Sequence, residues 1–382
     1  MNKMEEIKEN IEIQEGKKED EAWWDSTRLW NTGADIMWAF GLRGNGKTTQ
    51  LLRKGLELYF KYGYQFVYMR RQDTDFKQST GIDMLFDYFV VSGELEKMSH
   101  GKYNTIKYYN RAFYLGHIDE EGKLTKEKEP VCRCAAVSMS HHFRGSSWPN
   151  YHFIAFDEFM PEENEEILIN EFSRFTNLVH TIRRNKKPFW IMGVGNTINI
   201  HNIYFRSFGL TNVKNQEQGS INVYTNKETN MKIAVEYCAK RVDEDTKKFF
   251  SVFNTESLKM ILDGGWQAPY APPKPIDFDE DDIEFMYFVK FDDECLQCEI
   301  VCKDDLTFTY VHKKTSDIFD EDEDLVFSQD YDVRDNWRRN ILKPYDDVGR
   351  LIASYFIKDK VFYQDNAIGQ TMKTYIKWCD KV

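Results

Sequence analysis

Residues 36–49 read IMWAFGLRGNGKTT, and this stretch constrains the fold more than any other. Ile36–Phe40 is a continuous apolar run, as expected of a parallel strand buried on both faces. It stops at a glycine, and Gly41-Leu42-Arg43-Gly44-Asn45-Gly46-Lys47-Thr48 fits the pattern G-x-x-x-x-G-K-[ST]. Glycines at this spacing let successive backbone N–H groups turn toward a phosphate, and a helix starting there adds its positive end. Leu51, Leu52, Gly55, Leu56, Tyr59 and Phe60 recur at helical spacing, and Gly63 is a fitting stop. Strand, loop and helix agree on a nucleoside-triphosphate site. Lys47 is expected to reach the β- and γ-phosphates of ATP and the Thr48 hydroxyl to ligate Mg²⁺, with Arg43, Asn45 and Thr49 completing the loop.

Hydrolysis needs more than a phosphate cradle. Phe153-Ile-Ala-Phe-Asp157-Glu158 places two carboxylates after four apolar residues. Asp157, at the end of such a strand, suits Mg²⁺, and Glu158 suits a general base that polarises water. The pair lies 110 residues after Lys47, a gap that leaves room for an extra strand between the two motif strands. Phe189–Val194 reads as a further strand, beside the metal-binding strand, and Asn196 beyond it is a candidate γ-phosphate sensor. Positive charge for the transition state is expected from the basic cluster His180-Thr-Ile-Arg183-Arg184-Asn-Lys-Lys187 or from Arg144. Trp23 and Trp24 could flank an adenine or pack in the core. Arg70, Arg71, Lys77, Lys102 and Lys107 are candidates for non-specific contacts with DNA phosphates.

The net charge of −12 argues at first against nucleic acid, yet it is unevenly placed. Residues 276–335 hold 21 Asp and Glu against 5 Lys and Arg, which leaves 46 basic and 42 acidic residues elsewhere. The first two-thirds of the chain can therefore present a basic surface. No apolar run approaches the roughly 20 residues of a membrane span. The first residues are charged and lack the apolar core of a secretory signal. Seven cysteines without secreted-style spacing point to reduced thiols, and Cys295-x-x-Cys298 is a zinc half-site with no second half.

Strands alternate with helical patterns through residue 199, which implies βαβ units and a mostly parallel sheet. The expected organisation is a charged extension over 1–22, an ATPase domain over 23–199, a linker over 200–225 and a smaller domain over 226–382. A helix is expected over 79–97, and an antiparallel meander from Phe285–Phe291, Cys295–Cys302 and Thr307–His312. A strand at Val361–Gln364 and a helix at Gly369–Cys379 follow.

The chain resembles the DNA-packaging ATPases of small tailed phages of the φ29-like group. The resemblance rests on Gly41–Thr48, Tyr62-Gly-Tyr-Gln-Phe-Val-Tyr-Met-Arg-Arg71, Trp148-Pro-Asn150 before Phe156-Asp-Glu-Phe159, and Asn177–Asn185 before Asn196. It runs over about 30–382 and is most specific in the first half. It implies an α/β P-loop NTPase of the additional-strand, catalytic-glutamate (ASCE) class, joined to a smaller α+β RNase H-like domain that has lost its nuclease carboxylates. It also implies a ring, of five subunits, at the portal vertex of a prohead in the host cytoplasm, pumping double-stranded DNA with ATP and Mg²⁺. A packaging RNA links ring and portal in the best-known members. By the same match Arg184 becomes a trans-acting arginine finger, and Arg144 falls where a second interface cation stands. Asp292, Asp330, Asp332 and Asp365 are the acids available to a nuclease, and Arg338, Arg339 and Lys343 the cations available to RNA. A large-terminase-like motor with an active nuclease and a helicase-type ATPase are the alternatives.

Overall fold

The apolar runs become strands with few exposed positions: every residue of Ile36–Gly41 is buried, and so are five of the six in Gln65–Arg70. The computed structural model describes residues 11–20, 23–162, 165–210, 212–241, 269–316 and 322–379, with Lys248, Asp320 and Lys381 besides. The chain forms two compact units.

The first unit holds 1–161, 171–197 and 203–265. Its strands are β1 (Ile11–Gln14), β2 (Ile36–Gly41), β3 (Gln65–Arg70), β4 (Thr105–Tyr109), β5 (Ala112–Ile118), β6 (Cys132–Ala136), β7 (Tyr151–Asp157), β8 (Trp190–Asn196), β9 (Ile221–Thr225) and β10 (Lys232–Tyr237). With the short strand Leu124–Lys126 beside β5, they form one sheet in the order β1-β9-β10-β2-β8-β7-β3-β6-β5-β4. The run from β10 to β6 is parallel throughout, and the strands beyond it on both sides are antiparallel. β8 lies between β2 and β7.

Parallel strands need cover on both faces, and β2 shows how the alternation supplies it. Met37 and Ala39 join the cluster of Leu51, Leu52 and Leu56 on helix α1 (Lys47–Tyr62). Trp38 faces the other way, its ring 4.6 Å from Phe159 and 5.6 Å from Tyr204. Gly193 on β8 is required there, since a Cβ would sit 2.3 Å from the Trp38 ring. On the same side, helix α2 (Glu171–Arg183) brings Phe175 to 6.2 Å from Trp38.

Three expectations change. The charged extension over 1–22 is in part sheet, because Ile11–Gln14 is an edge strand paired antiparallel with β9; residues 1–10 and 21–22 lie outside those described. The helix expected over 79–97 is broken into short 3₁₀ turns and two five-residue helices, Asp87–Val91 and Glu94–Met98. The linker at 200–225 and the boundary at 226 do not hold. Residues 203–241 stay in the first unit, where β10 pairs directly with β2, and Glu162–Asn170 and Ile198–Asn202 belong to the second. Sheet hydrogen bonding, which composition does not reveal, set the boundary.

The second unit contains β11 (Ile283–Phe291), β12 (Glu294–Lys303), β13 (Leu306–Lys313), β14 (Val326–Ser328), β15 (Trp337–Arg338) and β16 (Val361–Tyr363), in the order β15-β14-β11-β12-β13-β16. β11, β12 and β13 form the expected antiparallel meander, while β14 and β15 extend it in parallel. Helices α3 (Asp347–Ile357) and α4 (Asn366–Trp378) start from side-chain caps, Asp346 accepting from Gly349 N and Asp365 from Ile368 N. Among the described residues, no helix is long and apolar enough to cross a membrane.

One buried ion pair ties the first unit together. Arg71, at the end of β3, donates from Nε and Nη2 to Glu171 at 2.6 and 2.8 Å, and Tyr204 Oη donates to the same carboxylate at 2.9 Å. The two charged side chains are only 2% and 0% exposed. Removing one partner strands the other charge in the core. Glu171→Ala should therefore destabilise the protein by about 3–5 kcal/mol, read as a lower urea midpoint at unchanged m-value.

Candidate functional site

Positive φ values at Gly41 (156°), Gly44 (72°) and Gly46 (89°) fold the loop between β2 and α1, a region that side chains with a Cβ rarely enter. Gly46 also serves as the N-cap of α1 and lies under Trp23, where a Cβ would meet the indole at 3.1 Å. Trp23 is therefore beside the loop, and Trp24 is in the core. Lys47 is buried, and its ammonium donates to the carbonyls of Gly41 (3.2 Å) and Leu42 (2.6 Å) and to Asn45 Oδ1 (3.3 Å). Burial pushes its pKa down to about 8, against the pull of Cys238 and Asp157. Asn45 is 1% exposed, and among the described residues its Nδ2 has no partner at hydrogen-bond geometry. A glycine cradle, an inward lysine and an orphaned amide donor together fit an anion with several oxygens. Arg43 and Thr49, the other loop positions, are exposed and half-buried respectively.

Asp157 ends β7 and is 2% exposed. Thr48 Oγ1 lies 3.1 and 3.2 Å from its two oxygens, so one hydroxyl and one carboxylate converge as a hard cation such as Mg²⁺ requires. Tyr68 Oη donates to Asp157 Oδ2 at 2.7 Å, and Arg70 Nη2 approaches the same oxygen at 3.3 Å. Burial, with Asp157 beside it, raises the Tyr68 pKa well above the usual phenol range and keeps it a donor. Glu158 turns out of the strand at φ 53°, its own N–H donating to Asp157 Oδ1 at 3.1 Å. Its carboxylate, 55% exposed, takes a hydrogen bond from Arg70 Nη1 at 2.9 Å.

Strand register explains this convergence. Val194 of β8 is opposite Asp157, and Asn196 is opposite Gly41, so Asn196 ends level with the start of the loop. On the far side of β7, Tyr68 is opposite Ala155. Tyr68 and Arg70, two apart on one strand face, therefore reach the carboxylates together. Tyr68 was not anticipated as a site residue, and Arg70 was expected on DNA. Their period-2 spacing was visible in the sequence, but only the pairing of β3 with β7 gives it meaning.

Arg144 and Arg184 are exposed and lie close to each other. Arg184 leaves α2 at φ 43° and donates from Nη2 to Ser146 O at 2.7 Å, two residues beyond Arg144. Their described contacts do not reach Asp157 or Glu158 of the same chain. Of the other DNA candidates, Arg71 is in the buried pair with Glu171 and Lys102 pairs with Glu127 at 3.2 Å, while Lys77 and Lys107 are exposed.

In the second unit the expected acids have separate tasks. Asp292 Oδ2 is 3.3 Å from His201 Nδ1, Asp332 pairs with Arg334 at 2.9 Å, and Asp365 caps α4. Arg338 pairs with Asp346 at 2.6 Å and Arg339 Nε donates to Gln329 O at 3.0 Å. These two arginines are thus held in place within the unit, and Lys343 is exposed.

The chain matches the family model described as podovirus DNA encapsidation protein (Gp16) over residues 21–370. It is 27% identical over 176 residues to the DNA packaging protein of Bacillus phage phi29, a match that spans 46% of each chain. The alignment thus spans about half the length of that curated relative. Its fold is similar to that in the bacteriophage Phi-29 viral genome packaging motor assembly (TM-score 0.53, 18% identity, 94% of this chain and 99% of that one). It is also similar to that of the Phi-28 gp11 DNA packaging motor (TM-score 0.51, 17% identity, 94% and 98%).

The Lys47 geometry makes a pH prediction. Its folded pKa of about 8 is below the ordinary lysine value of 10.5, so in the free protein the ammonium charge is present below pH 8 and lost above it. Affinity for inorganic tripolyphosphate should therefore fall as pH rises through 8, by up to about tenfold per unit. Titration calorimetry between pH 7 and 9.5 should show this slope in the wild type and none in Lys47→Arg.

Proposed function

The chain belongs to the podovirus DNA encapsidation protein (Gp16) family, and from that premise we propose an ATP-driven motor that moves double-stranded DNA into a prohead. The observation that carries the reading is the meeting of Thr48, Asp157 and Glu158 at the mouth of the glycine loop, with β8 and Asn196 inserted between the two motif strands.

Each residue has a role that its position supports. The loop Gly41–Thr49 wraps the β- and γ-phosphates, and Lys47 exchanges its loop carbonyls for phosphate oxygens. Thr48 and Asp157 hold Mg²⁺, which supplies charge neutralisation to the phosphoryl oxygens when bound. Glu158, the exposed member of the carboxylate pair, orients the attacking water as general base. Arg70 links the two carboxylates and holds Glu158 in register with Asp157. Asn196 is placed to sense the γ-phosphate. Arg184 and Arg144 stand on the surface, without contact to their own catalytic carboxylates, as residues that complete a neighbouring subunit's site should. A closed ring, of five subunits at the portal, would give every subunit such a neighbour. The second unit is read as RNase H-like. Its strand order, a meander of three with two parallel strands beyond one edge and one beyond the other, supports this, as does the spread of its acids over capping and ion-pairing tasks. A docking role toward the portal or a packaging RNA follows for it.

ATP hydrolysis by the purified protein, with and without double-stranded DNA, tests the reading. DNA should stimulate turnover, and Glu158→Gln should lower it by about 10²–10⁴-fold while ATP still binds. If Glu158→Gln hydrolyses ATP like the wild type, the catalytic assignment is wrong. Trans action has its own signature. Lys47→Ala and Arg184→Ala should each be inactive alone, and mixing them should restore part of the activity. Mixtures as inactive as their components would place Arg184 outside any shared site.

A further inference from the structure

The donors around the Asp157 carboxylate are unevenly shared between its two oxygens. Oδ1 takes the N–H of Glu158 at 3.1 Å, with Thr48 Oγ1 also at 3.1 Å. Oδ2 takes Tyr68 Oη at 2.7 Å and Arg70 Nη2 at 3.3 Å, with Thr48 Oγ1 at 3.2 Å. The Tyr68 bond is the shortest of them.

Strand register brings the phenol there. Tyr68 is opposite Ala155, so it stands on the same face of the sheet as Asp157, two residues further along β7. That face carries α1, since Tyr68 and Ala155 share one apolar cluster with Leu52 and Leu56. Thr48 therefore reaches Asp157 from the helix, and Tyr68 reaches it from the neighbouring strand.

Tyr68 is fully buried, and a buried tyrosine hydroxyl usually finds some partner, so burial alone assigns it no role. Direction does. Arg70 Nε donates to Tyr68 Oη at 3.1 Å, and a guanidinium accepts nothing in return. The single phenolic hydrogen is thus left for Asp157 Oδ2, the one acceptor it has among the described residues. The ring is fixed as well, edge-on to Phe76 at 6.2 Å. A rigid donor on one oxygen keeps the carboxylate from turning.

We propose that Tyr68 is a positioning residue for the metal: it locks the Asp157 carboxylate so that Oδ1 and Thr48 Oγ1 present one fixed pair of oxygens to Mg²⁺. This rests on the reading of Thr48 and Asp157 as the metal pair. Groups that orient a metal ligand from behind typically matter ten- to hundredfold in metal affinity. Arg70 reaches Oδ2 at a longer distance and is shared with Glu158, so the phenol is the dedicated partner.

Calorimetry of ATPγS with the full chain, in Mg²⁺ and in EDTA, tests this without turnover. The ratio of the two affinities reports what the metal adds. Tyr68→Phe removes one oxygen and keeps the ring. It should cut that ratio by about ten- to hundredfold and leave the affinity in EDTA unchanged. In hydrolysis the same variant should need correspondingly more Mg²⁺ for half-maximal rate and recover kcat once Mg²⁺ is saturating. Asp157→Asn, which removes the ligand's charge, should abolish the gain from Mg²⁺. An unchanged ratio in Tyr68→Phe, with Asp157→Asn behaving as expected, would overturn the positioning role and leave the metal pair intact. Equal loss of affinity in Mg²⁺ and in EDTA would overturn it too, since that is the mark of a merely structural residue. A wild type that gains nothing from Mg²⁺, or an Asp157→Asn variant that gains as much as the wild type, would overturn the metal reading and this role with it.

Discussion

One buried carboxylate organises the centre of the first unit. Asp157 is almost fully removed from water, and an ionised group in that position persists only if it is paired and hydrogen-bonded. Its partners come from three directions: Thr48 at the start of α1, Tyr68 and Arg70 at the end of β3, and the backbone N–H of Glu158. Satisfying one charge therefore fixes the helix that carries the phosphate loop, the strand beside β7 and the turn that presents Glu158. Stability and chemistry depend on the same atoms.

The second constraint is the order of the strands. With β8 between β2 and β7, the glycine loop and Asp157 are separated by one strand, and Asn196 arrives between them. The left-handed backbone at Glu158 turns its side chain out of the sheet toward solvent, where an attacking water would be found. Arg70 bridges Asp157 and Glu158, so the two carboxylates share one cation. Next to it, Arg71 is fixed by Glu171 and Tyr204, which holds the end of β3 against α2. Adjacent arginines at the end of one strand thus serve opposite ends: one faces the two carboxylates and the other the core.

Charge is partitioned along the chain in a way that suits the proposed work. The acidic residues concentrate over 276–335, and the remainder is close to neutral with a slight basic excess. Exposed Arg144, Arg184, Lys77 and Lys107 are all in the first unit, which leaves it able to meet phosphate, in a neighbour's nucleotide or along DNA.

Gly41–Thr48, the Asp157-Glu158 pair and the parallel run of strands were legible in the sequence, because each is a local pattern. A glycine spacing, an apolar run ending in acid and a change of hydrophobic period all act over a few residues. What lay beyond the sequence was long-range pairing. Tyr68 and Arg70 became site residues only because β3 lies against β7. Ile11–Gln14 became a strand only because β9 offered an edge, and 203–241 stayed in the first unit because β10 pairs with β2. Arg71 and Arg70 look alike in sequence, yet alternation about the strand sends them to different surroundings. Local chemistry determined what could bind; the hydrogen bonding of distant strands decided which side chains surround it.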